Sequence, residues 1–134
     1  MTTLPKTAEQ IREMPAGAEM DSLIAKLIMG YPYTTKPNSY IAGVINVLGQ
    51  PICDVVNVGH GCDVFNEVVF RPSTDIAHAW EVAEKIGRIA IRETPSGLSM
   101  WMAGFPGSEG LEYIWADTAP LAICRAALLS VAKS

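Results

Sequence analysis

Two segments set the hydrophobic rhythm of the chain, Pro72–Val82 and Ala116–Leu128. Each opens with Ser, Thr or Asp and then places apolar residues at three- and four-residue intervals, the pattern of an N-capped amphipathic helix. In the first, Ser73 or Thr74 is the expected cap. Ile76, Ala79, Trp80, Ala83 and Ile86 form the expected buried stripe, with Trp80 beneath a sheet, and Gly87 is the stop. In the second, Asp117 and Thr118 start a helix over 120–132 that covers a sheet through Leu121, Cys124, Leu128 and Val131. Upstream, Thr7 precedes a short helix over 8–14 that Pro15-Ala16-Gly17 breaks. Residues 19–29 then carry Met20, Leu23, Ile24, Leu27 and Ile28 at helical spacing, ahead of a left-handed stop at Gly30.

Between the helices the text turns to strand and loop. Over 31–70 the charged residues are Lys36, Asp54, Asp63 and Glu67, while Val, Ile, Tyr, Gly and Asn accumulate. Runs at 40–48, 52–58 and 64–70 read as strands, the first two joined as a hairpin through Gly49-Gln50-Pro51. Gly59-His60-Gly61 reads as a turn. After the third helix come strands over 88–93, 98–105 and 111–116, separated by Pro/Gly/Ser turns, so an antiparallel meander is expected. The strand surface of 31–70 exceeds what four short helices can cover. An exposed edge is usually paired, which predicts a symmetric dimer or larger homo-oligomer with this segment at the interface.

With 134 residues, 49% apolar and 18% charged, the chain is expected to fold as one domain with a real core. Ten Lys and Arg against fourteen Asp and Glu give a formal charge of -4, which argues against long nucleic acids as partners. The order helix, three strands, helix from Ser73 onward also belongs to double-stranded RNA-binding domains. Here, however, the last helix opens with Asp117 and carries only Arg125 and Lys133, a poor phosphate reader. No apolar run reaches the roughly 18–20 residues that span a bilayer, and the N-terminus has no secretory pattern, so a cytoplasmic protein without a membrane partner is expected. Cys53, Cys62 and Cys124 are an odd, widely spaced set, as reduced thiols would be, with Cys124 buried in the last helix.

Four blocks in order resemble the phage ABA sandwich domain family: Pro15-Ala16-Gly17-x-Glu19-Met20-Asp21, Met29-Gly30, Pro72-Ser73-Thr74-Asp75-Ile76-Ala77-x-Ala79-Trp80-Glu81-Val82, and Ala116-Asp117-Thr118-Ala119-Pro120-Leu121-Ala122-Ile123-Cys124-Arg125-Ala126. The resemblance spans about a third of the chain, spread over almost its full length. It implies an α/β fold, an α-β-α sandwich with a mostly antiparallel sheet covered by helices, and a gene carried by a bacteriophage or prophage, hence a protein of the host bacterial cytoplasm. It transfers no catalytic motif. The chain departs from the family pattern over about 31–70, read as an apolar strand and loop insertion within a single domain over 1–134.

The candidate chemistry is sparse. His78, two positions from Trp80, is expected on a solvent face. His60 with Cys53 and Cys62 lacks the fourth ligand and the close Cys pairing of a zinc site, so no metal is assigned. No nucleophile elbow, phosphate loop or dinucleotide fingerprint is present. No catalytic residue or cofactor is assigned, and a non-catalytic binding protein leads. In one version it sequesters a small nucleotide-derived immune signal of the host. Arg71 and Arg92 would then contact phosphate, and Tyr31, Tyr33 and Trp101 would stack on a base. In the other it is a protein-interaction module that binds a host or phage protein through the apolar 31–70 segment. Trp80, Asp117 and Thr118 are read as architectural in both.

Overall fold

The computed structural model describes residues 8–34, 41–57, 59, 65–87, 89–93, 100–107 and 110–132. Its elements run α1 (Ala8–Glu13), α2 (Ala18–Leu27), β1 (Val44–Ile45), β2 (Pro51–Asn57), β3 (Phe65–Val69), α3 (Ile76–Ile86), β4 (Ala90–Glu93), β5 (Trp101–Gly107), β6 (Gly110–Ala116) and α4 (Ala119–Ala132). The strands form two antiparallel three-stranded sheets, β1-β2-β3 and β4-β5-β6, each a meander. With the helices they make a mixed α/β sandwich.

Helix α4 is the centre of the fold. From Leu121 to Leu129 every side chain is buried except Arg125, so this helix has no solvent face, where the sequence pattern implied a one-sided stripe. It packs on β4, β5 and β6 and on α1, α2 and α3. Thr118 caps it as expected, its Oγ1 accepting the Leu121 amide at 3.3 Å, while Asp117 is exposed. Arg125 spends its charge on backbone: Nε and Nη2 donate to the Met14 carbonyl at 3.1 and 2.8 Å, and Nη1 donates to the Trp115 carbonyl at 3.1 Å. One side chain thus fastens the end of α1 and strand β6 to α4.

Three sequence expectations are corrected around α3. Its cap is Asp75, not Ser73 or Thr74, with the carboxylate accepting the Ala77 and His78 amides at 2.9 and 3.2 Å. Ser73 is instead buried and holds α2 in place: its amide donates to Asp21 Oδ1 at 2.9 Å, and its Oγ accepts the Gly17 amide at 3.0 Å. Gly17 enters α2 at φ 149°, a backbone region that side-chain-bearing residues rarely adopt. Second, Trp80 is 48% exposed and Ile76 47% exposed. The buried face of α3 is Ala79, Val82 and Ala83, small residues that let α3 approach α4 closely, and Trp80 is rotated one position off that face. Third, His78 is half-buried rather than solvent-facing.

Strand β1 is two residues long, not the run over 40–48 expected from composition; Tyr40 lies outside the described residues. The Asn46 carboxamide ends it. Its Oδ1 accepts the amides of Leu48 and Gln50 at 3.0 and 2.9 Å, and this local competition with the ladder builds the turn into β2. Among the described residues no helix is long and apolar enough to cross a membrane.

These placements order two stabilities. Phe70 is fully buried, so Phe70→Ala is expected to cost about 3–5 kcal/mol. Trp80→Ala loses only the half of its surface that is covered, about 2 kcal/mol. Urea unfolding of the two variants checks that order.

Candidate functional site

A cleft of about 480 Å³ lies between the start of α2, the β1–β2 turn and the corner that joins β3 to α3. Gly17, Asp21 and Ser22 line one wall, Gly49 and Gln50 the facing turn, and Phe70, Arg71 and Thr74 the corner. Each wall is fixed by a bond already implied by the fold. Ser22 Oγ donates to the Gly49 carbonyl at 3.2 Å and so ties α2 to the turn. Asn46 Nδ2 donates to Gln50 Oε1 at 3.3 Å, which leaves the Gln50 amide nitrogen as a donor. The exposed Arg71 adds a guanidinium. Asp21, although it lines the cleft, is buried and binds Ser73. Arg71 and the Gln50 amide nitrogen are the donors left at the mouth, beside the hydroxyls of Ser22 and Thr74.

Behind Arg71 the corner is held by an imidazole. The Arg71 amide donates to His78 Nδ1 at 2.9 Å, so the ring proton sits on Nε2, which lies 3.6 Å from Cys53 Sγ. Cys53 in turn donates to the Val68 carbonyl at 3.4 Å. His78 packs at a tilt against Phe70, with 5.3 Å between ring centres, and Tyr31 packs against the same Phe70 ring at 5.7 Å. A thiol and an imidazole this close invite comparison with a nucleophile pair, but the polarity is wrong. His78 Nε2–H points toward the sulfur where a base would present a lone pair, and burial, reinforced by the Glu81 carboxylate, pushes the Cys53 thiol up. The same burial raises the Tyr31 phenol.

The residues selected from sequence are dispersed. Arg71 stands at the cleft. Tyr31 lies behind it against Phe70. Tyr33 is exposed, with Lys26 Nζ 5.5 Å from its ring centre. Arg92 and Trp101 sit on opposite faces of the second sheet, since Arg92 pairs with Met102 and Glu93 with Trp101. Arg92 shares an outer hollow of about 230 Å³ with Gly104 and Tyr113, whereas Trp101 is on the α4 side near Trp80. His60, Cys62 and the turn around them lie outside the described residues. Sequence reading missed Asp21, Ser22, Gln50 and Thr74 as cleft residues. The available signal was the pair of glycine turns, at 15–17 and 49–51, that face each other across it.

A family model for the phage ABA sandwich domain matches residues 22–128. The chain belongs to the phage ABA sandwich domain family. Its fold is also similar to that of a phage protein from Bacillus cereus ATCC 14579, known from a 2.0 Å crystal structure, with a TM-score of 0.51 at 22% identity, covering 98% of this chain and 93% of that one. No curated protein matches the chain. This phage ABA sandwich domain therefore joins a shared scaffold to a cleft whose chemistry is read from its own residues.

Two measurements check the site. Burial raises the Asp21 carboxyl above its ordinary 3.8, outweighing the Ser73 hydrogen bonds and the nearby Arg71 and His78, which lower it. A raised carboxyl binds its proton more tightly in the folded state, so its contribution to stability is full below 3.8 and declines as pH rises through the folded value. Asp21→Asn keeps the acceptor for Ser73 without the charge. Its stability relative to the parent should therefore climb between pH 3 and 7 in urea melts, and a flat difference would contradict this. In a Cys62→Ser background, Cys53 should react with a disulfide reagent at pH 7.5 more slowly than free glutathione, and Glu81→Gln should quicken it.

Proposed function

We propose that this phage protein is a non-catalytic binding protein that takes a small phosphate-bearing, nucleotide-derived ligand into the cleft beside α2. By withholding that ligand it blunts an immune signal in the cytoplasm of the infected cell. The observation that carries this reading is the convergence of hydrogen-bond donors, from Arg71 and Gln50, on a hollow of about 480 Å³ in whose wall the one acidic residue among those described, Asp21, is buried and accepts the Ser73 amide. That volume lies within the usual range of small-molecule sites, about 300–1,000 Å³. A guanidinium offers phosphate a forked pair of donors. The exposed Leu48 supplies an apolar surface beside Gln50, where a base ring would lie against the aliphatic side chain and present its edge to the amide.

Sequestration also accords with the Cys53–His78 pair, which is arranged to hold the Arg71 corner. A thermal-shift screen against a panel of mono-, di- and cyclic nucleotides tests the reading. A ligand at about a hundred times its Kd should add about 2.7 kcal/mol of stability. Arg71→Ala should weaken binding by about 1.5–3 kcal/mol, the worth of charge-assisted hydrogen bonds. The ligand should be recovered intact after the complex is denatured. Recovery of a cleaved product, or no shift with any nucleotide at millimolar concentration, would overturn it.

A further inference from the structure

Helix α3 is amphipathic twice over. One apolar face, Ala79, Val82 and Ala83, is consumed by the core. A second stripe, Ile76 and Trp80 at a four-residue spacing, remains about half exposed. Trp80 stands between two hollows. One, of about 440 Å³, runs past Ile76, Ile91 and Trp101 to Pro120 at the start of α4. The other, of about 340 Å³, continues past Ala83 to Gly87 and Ile89. Together they form an apolar groove bounded by α3, strands β4 and β5 and the first turn of α4, on surface that the Arg71 cleft does not use. The close α3–α4 contact leaves no room for Trp80, so its ring lies on the surface between the two hollows.

We propose that this groove docks a segment of a protein partner that carries a leucine or aromatic anchor flanked by lysine or arginine. The chemistry of the groove selects that class. Two tryptophans, two isoleucines and a proline offer the wide, rigid contact surface on which binding energy concentrates. Among the described lining residues the charged side chains are Glu84 beyond one end and Asp117 at the other, both acidic, in a chain whose net charge is -4. A basic-flanked apolar segment is complementary to that field. A second copy would bring the same two carboxylates against them, and an acidic peptide would be repelled. The groove thus accepts an amphipathic basic segment in the manner of a helix laid into an apolar channel.

The test uses the full chain and two synthetic fourteen-residue amphipathic peptides, one of Leu and Lys and one with Glu in place of every Lys. The Leu–Lys peptide should shift the indole N–H resonances of Trp80 and Trp101 in nitrogen-edited NMR spectra. It should leave that of Trp115, on the outer face of the second sheet, in place. Trp80→Ala should weaken its binding at least tenfold, and Glu84→Lys with Asp117→Lys should weaken it and flatten its salt dependence. Arg71→Ala should not change it, which separates this site from the nucleotide cleft. Absence of binding to the Leu–Lys peptide at millimolar concentration, equal binding of the Glu peptide, or shifts at Trp115 without Trp80 would overturn the proposal. So would a homodimer that Trp80→Ala dissociates, because the groove would then belong to a second copy.

Discussion

Helix α4 has no side that faces water, and the other elements are arranged to satisfy that constraint. A helix apolar around its whole circumference must be enclosed. The second sheet closes one side and α1, α2 and α3 close the others. Arg125 is the one side chain from Leu121 to Leu129 that escapes burial, and it is spent on carbonyls of the enclosing elements, at Met14 and Trp115. Hydrogen bonds from a charged donor to backbone acceptors are among the stronger ones available to a protein. The packing and the fastening thus come from the same helix.

The corner over residues 70–75 transmits that core to the surface. Phe70 is buried, Arg71 points out, Ser73 is buried, and Asp75 caps α3. Each successive residue has a different partner: the rings of Tyr31 and His78, the Nδ1 of His78 through the Arg71 amide, the carboxylate of Asp21, and the first amides of α3. A guanidinium on a flexible loop would lose much of its binding energy to ordering, whereas one whose backbone is held from both sides begins nearer its working position. The motif around Pro72 is architectural in this sense, although not through the residue that looked most architectural.

Helices were legible because their signals are local. The caps, the three-and-four spacing of Met20, Ile24 and Leu27, and the glycine stops all act within one or two turns. The division of six strands into two sheets was not legible, since both arrangements use the same meanders and differ only in long-range placement. Trp80 misled for a related reason. Periodicity identifies an apolar stripe but cannot rank two adjacent ones, and alanines won the core because a close approach of α3 to α4 demanded small residues. Aromatics and arginines could be picked out as reactive text, yet only the fold separates Arg92 from Trp101 by the thickness of a sheet. His78 looked like a surface residue because its partners, Cys53 and the Arg71 amide, are brought to it by β2 and the corner rather than by its own helix.

The position of α4 along the chain has a consequence for biosynthesis. All the other described elements precede it, so as the polypeptide leaves the ribosome two sheets and three helices emerge with nothing to enclose. Met14 waits for a guanidinium 111 residues away. Contacts of such sequence separation close late and slowly. Until residues 119–132 have cleared the exit tunnel, the apolar faces later sealed by Leu121, Ile123 and Leu128 have no cover.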